Sequence, residues 1–137
     1  MKAISLLQPW TTLVVLGVKT IETRSWGTKY RGPILIHASQ SKAGSIFSFE
    51  VPFEKYIPDF KKLPLGAIIG QAIIADVIRV ERLRMSDELI NQYTMEEKAF
   101  GDYSEGRYAW ILEDHKQFKK TIPARGTLSI WEYPWEI

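Results

Sequence analysis

The run "AIIGQAIIADVIRV", Ala67 to Val80, limits the possible folds of this chain more than any other segment. It is β-branched and almost continuously apolar, a pattern that suits a strand covered on both faces or one curving round a barrel. Gly70 inside it marks a bend or bulge. Such a strand needs neighbours on either side. Lys2 to Leu7, Thr20 to Trp26, Pro33 to Ala38, Arg107 to Leu112 and Thr127 to Tyr133 supply them as shorter strand candidates.

Helices are few and brief. Pro9 suits a first helical turn, Gly17 suits a helix end, and Trp10, Leu13 and Val14 recur between them at helical spacing. Trp10 is therefore expected in the core. Thr94-Met95-Glu96-Glu97 has capping-box spacing and predicts a helix to about Phe100, stopped by Gly101. The stretch from Ser86 to Glu97 reads as an acidic helix. Between Ser39 and Leu63 the phenylalanines Phe47, Phe49, Phe53 and Phe60 predict a short helix and turns that cap the fold. Five or six strands with three short helices make an α+β chain, a small mixed β-barrel.

With 137 residues and no internal repeat or linker, one domain over 1–137 is expected. The absence of cysteine removes disulfide and thiolate chemistry. The N-terminus lacks the apolar run of a signal peptide, and no stretch reaches membrane-span length, so a soluble, cytoplasmic protein is expected. The net charge of +2 does not by itself announce a polyanion partner. Its distribution is uneven, however, because Lys19, Arg24, Lys29 and Arg31 lie within thirteen residues that hold one acid, Glu22.

That basic segment begins with "GVKTIETR", Gly17 to Arg24. If Lys19 occupies a turn after Gly17 and the strand starts at Thr20, the ammonium swings over the face carrying Glu22 and Arg24. Arginine offers a planar fork for phosphate oxygens and lysine a mobile point charge. Glu22 can accept from a base edge or activate water. Trp26 and Tyr30 offer aromatic faces, on which a stacked base gains about 1–3 kcal/mol. The ordinary alternative is a wet strand face, with Glu22 and Arg24 an ion pair worth about 0–1 kcal/mol. Arg31, before Gly32-Pro33, either contacts phosphate or keeps an edge soluble. Tyr103 and Arg107, in or beside a loop in "GDYSEGRYAW", are candidate cleft walls, whereas Tyr108, Trp110 and Leu112 share a core face.

Other constellations fail. His37 and His115 are far apart with no cysteine, so no metal site and no cofactor are expected. His37, among apolar neighbours, reads as a satisfied interior histidine. "GVKT" lacks the upstream glycine of a phosphate-binding loop, and there is no G-x-S-x-G elbow.

"GVKTIETR" resembles the G-x-K-x-x-E-x-R signature of the activating signal cointegrator homology (ASCH) family. The flanking "SLLQPW", "YRGPILIHAS", "LPLGAIIG" and "FGDYSEGRYAW" occur in that family's order, so the resemblance spans most of the chain. It implies a PUA-like β-barrel with a cleft beside the signature, taking RNA, single-stranded nucleic acid, a nucleotide or a nucleoside. Some small relatives are N4-acetylcytidine amidohydrolases and others are described as ribonucleases. The alternative is therefore a metal-independent hydrolase with Lys19 and Glu22 as its catalytic pair. The amidohydrolase branch places a threonine nucleophile three residues after the lysine, where this chain has Glu22. That branch also uses a later glutamate, for which Glu97 or Asp102 stands in the corresponding region.

Overall fold

A computed structural model of the chain describes residues 1–83, 85 and 94–134. Six strands form one sheet: β1 (Lys2–Leu6), β2 (Ile21–Arg24), β3 (Gly32–Ala38), β4 (Ala67–Arg79), β5 (Tyr108–Pro123) and β6 (Ile130–Glu132). Their order across the sheet is β2-β5-β4-β3-β1-β6. β1 and β3 run parallel, with Ala3 opposite Leu35, while the remaining pairs are antiparallel. The sheet curls. Arg24 on the edge strand β2 donates a 2.9 Å hydrogen bond to the Ser5 carbonyl on β1, four places away in the strand order.

The apolar run is central, as its composition predicts. β4 pairs along its length with β5 and from Ala67 to Ile74 with β3, and Ala67 to Gly70 are buried in succession. Inside the curl, Ile4, Leu6, Ile34, Ile36, Ile74 and Trp110 pack into the main cluster. On the other face, Ala3, Leu35 and Ile68 are covered by Phe118, Ile122 and Trp131. Burial of this kind contributes roughly 25 cal/mol per Å² of apolar surface.

β5 is longer than the Arg107–Leu112 strand read from the sequence. Its second half, Glu113 to Pro123, is mostly exposed and charged, which hides the strand pattern. Pairing with the long β4 edge extends it nonetheless, through register shifts and an Asp114 at φ +49°. A bulge accommodates the extra residues and sharpens the bend.

The helix α1 (Trp10–Val15) lies against β3 and β4. A side chain at Gly70 would come within 2.6 Å of Val15 Cγ1 and 2.2 Å of the Lys116 carbonyl oxygen. Glycine there lets helix and sheet meet. The Ser39–Leu63 segment folds as short turns of helix, including α2 (Phe53–Tyr56). Two further helices, α3 (Val80–Leu83) and α4 (Met95–Phe100), flank the sheet. α4 has the predicted cap: the Thr94 hydroxyl accepts from the Glu97 amide at 3.2 Å. The expected acidic helix from Ser86 lies, as far as Tyr93, outside the described residues. No helix among the described residues is long and apolar enough to cross a membrane.

Candidate functional site

Gly17 has φ +77°, a conformation that only glycine adopts at low cost, and it ends α1. The amides of Val18 and Lys19 both donate to the Leu13 carbonyl, at 3.1 and 3.0 Å, so Lys19 lies in the turn and not on the strand. Its side chain runs inward and has no solvent exposure. The ammonium donates to the Ile21 carbonyl and stands 3.5 Å from Glu22 Oε1. The other carboxylate oxygen, Oε2, is 3.5 Å from the Arg24 guanidinium. The three charges thus converge, with the ammonium enclosed beneath the other two.

A second carboxylate approaches from α4. Glu97 is 3% exposed and accepts from the Thr20 amide and, at 3.0 Å, from the Thr20 hydroxyl. Burial pushes its carboxyl above the ordinary glutamate range, against the opposing pull of the Lys19 charge and the Thr20 bonds. Its side chain turns to Thr20, just ahead of β2, and not back to the Thr94 amide as a capping box would have it.

Above Glu22 opens a cleft of about 540 Å³. Glu22, Thr23 and Arg24 line it from β2, and Ser5 to Leu7 from β1. Trp10, Phe47, Phe53 and Phe100 form an aromatic side. Trp10 lies 5.1 Å from Phe47 and 5.8 Å from Phe53, ring centre to ring centre, and Phe53 lies 5.1 Å from Phe100. The Trp10 indole N–H donates to the Phe100 carbonyl at 2.6 Å, fixing α1 to the end of α4. Arg107 and Asp102 supply a polar rim. Arg107 donates to the carbonyls of Asp102 and Thr23, at 3.0 and 3.1 Å.

Of the residues singled out from sequence, Glu22, Arg24 and Arg107 line this cleft, while Lys19 lies below it. Trp26 is elsewhere: it packs edge-on to Trp110 at 5.0 Å, with the Arg24 guanidinium 5.8 Å from its ring centre. Tyr30 donates to the Pro33 carbonyl at 2.6 Å and carries Lys2 over its ring. Arg31 pairs with Asp76 at 3.3 Å. Tyr103 packs with Ile21, Val80 and Leu83. Sequence reasoning placed Trp10 in the core, and it has a foot in both: it packs on Phe53 and also faces the cleft. The contribution of Phe47, Phe53 and Phe100 was not foreseen, because no short motif joins them.

His37 is a satisfied interior histidine. Its ring nitrogens engage the Ser5 hydroxyl at 2.9 Å and the Ala124 carbonyl at 2.7 Å. It borders a second hollow of about 810 Å³ beside Arg125 and Thr127. Among the described residues, no group of three or more His, Asp or Glu side chains is placed to hold a metal ion.

A family model described as the ASCH domain matches residues 4–122. Activating signal cointegrator 1 of Homo sapiens is 23% identical over 135 residues, covering 94% of this chain and 22% of that protein. The Mus musculus protein of the same name is 22% identical over the same coverage. The chain thus spans about a fifth of the length of these curated relatives. The crystal structure of ASCH from Zymomonas mobilis superposes with a TM-score of 0.53 at 19% identity, covering 88% of this chain and 71% of that one. A point mutant of the Zymomonas protein gives 0.52 at 22% identity, over 86% and 70%. At such identities the superpositions speak to the fold, a curled six-stranded α+β sheet of PUA-like form. Taken with the family match over most of its length, the chain belongs to the ASCH domain family.

Proposed function

We propose that this chain is a nucleic-acid-binding module that seats one nucleotide of RNA or a single strand in the cleft above Glu22. One observation carries the reading: four aromatic rings and two guanidinium groups border the same hollow. Aromatic faces hold unstacked bases, and arginines at the rim contact the phosphates on either side. The volume lies within the range of about 300–1,000 Å³ usual for small-ligand sites. In this reading residues 1–137 act as one unit working in the cytoplasm, and neither metal nor cofactor takes part.

The test is binding of a fluorescent single-stranded RNA of about ten nucleotides across a salt series. Affinity falls as salt rises, because each phosphate contact releases counterions. Absent binding, or binding indifferent to salt, would sink the proposal.

A second reading, hydrolysis of a modified nucleoside or of RNA, draws on the Lys19–Glu22 pair beside the cleft. In it Glu22 activates water and Lys19 stabilises developing negative charge. The burial of Lys19 weighs against this, since its ammonium does not line the hollow where a substrate would sit. The position of the amidohydrolase threonine is also occupied by Glu22. Incubation with N4-acetylcytidine and with RNA decides it: turnover abolished by Glu22→Gln supports catalysis, and no turnover by the unmodified protein removes it.

A further inference from the structure

Glu22 combines partial burial with a place in the cleft wall. Its side chain is 14% exposed and lines the cleft, yet its two cations stand off at 3.5 Å. Among the described residues no hydrogen bond reaches either of its oxygens. Glu132, by contrast, takes Lys2 at 2.7 Å, and Glu97 takes two donors from Thr20 on one oxygen while its other oxygen is buried without a partner. A largely buried carboxylate that faces a cleft and has no close donor is an arrangement that a ligand N–H completes.

Resting on the nucleotide reading above, we infer that Glu22 reads the edge of the seated base and selects guanine. The two carboxylate oxygens ask for two adjacent N–H donors. Guanine presents N1–H and the N2 amino group side by side on its Watson–Crick edge. Adenine and cytosine each set one amino donor beside a ring-nitrogen acceptor, which would face the second oxygen lone pair to lone pair. Uracil has a single N–H between two carbonyls. Lys19 and Arg24 keep the carboxylate fixed in place from behind and beside, while the Trp10, Phe47 and Phe53 side offers the base a stacking surface. A guanidinium side chain from a protein would also satisfy both oxygens. Arg24 and Arg107 in the same wall oppose a cationic ligand, so the neutral base edge is favoured.

The experiment is titration of the full chain with GMP, IMP, AMP and CMP, and with L-arginine amide, followed by calorimetry. IMP keeps N1–H but lacks the 2-amino group. GMP binds at least about tenfold more tightly than AMP or CMP, with IMP between, because unmatched buried polar groups are costly. In Glu22→Gln, whose amide offers one acceptor and one donor, the preference for GMP collapses. Equal binding of the four nucleotides overturns the inference and leaves nucleotide binding standing. No binding of any mononucleotide overturns the inference, and the single-stranded RNA titration then decides the wider reading by itself. Arginine amide binding ahead of GMP overturns it in favour of a peptide ligand. A preserved GMP preference in a cooperatively melting Glu22→Gln protein also overturns it. The GMP-to-IMP ratio is read on the unmodified protein, so the test survives a variant that fails to fold.

Discussion

Lys19 holds its ammonium 3.5 Å from Glu22 Oε1 at a position with no solvent exposure. This makes the lysine of the signature a fastening for the carboxylate and the turn, since the ammonium also binds the Ile21 carbonyl. Removing one member of a buried ion pair leaves the other inadequately paired. Lys19→Ala should therefore cost about 3 kcal/mol of stability, measured by urea denaturation at neutral pH. A variant as stable as its parent that has merely lost ligand binding would make Lys19 a ligand contact instead.

The turn, the strand and the charges of this segment were legible because glycine, period-two alternation and the lysine offset are local features. The depth of Lys19 was not. It depends on α4 bringing Glu97 to Thr20 across 77 positions of sequence. The aromatic wall was hidden for the same reason: Trp10, Phe47, Phe53 and Phe100 come from separate segments that meet only when the sheet curls. Trp26 shows the opposite failure. It alternates correctly with Glu22 and Arg24, but β2 ends at Arg24, and the chain then bends its indole onto Trp110.

Phe47 separates folding from binding. It is 38% exposed and touches Trp10 and Phe53 at the cleft side. Truncation removes a stacking surface more than core volume. Phe47→Ala should change stability by no more than about 1 kcal/mol and weaken single-stranded RNA binding about tenfold. Thermal melts and fluorescence anisotropy on one preparation measure both. Unaltered affinity would place the base elsewhere.

Arg107 tests the phosphate contacts. Its guanidinium is tied to two carbonyls and to Asp102 at 3.6 Å, which presents the remaining N–H groups at the rim in a fixed orientation. Arg107→Ala should lower affinity for every sequence alike. It should also reduce the slope of log affinity against log salt by about 0.7, the share of one phosphate on a single strand. An unchanged slope would mean that the arginine only buttresses the loop.

Glu97 makes stability depend on pH. Burial raises its carboxyl above the ordinary value of 4.5, so the folded chain holds this proton more firmly than the unfolded chain does. Its stabilising contribution is complete below the unfolded value and is lost as the pH rises through the higher folded one. Glu97→Gln keeps an oxygen acceptor for Thr20 and cannot ionise, so it lacks this dependence. The unmodified protein should therefore lose denaturation midpoint relative to the variant as the pH rises above the unfolded value of 4.5 and through the higher folded one. Parallel curves for the two proteins over that range would mean that Lys19 and Thr20 fully compensate the buried charge. A relative gain by the unmodified protein would mean that the attraction of the Lys19 charge outweighs desolvation, reversing the order of the two effects at this carboxylate.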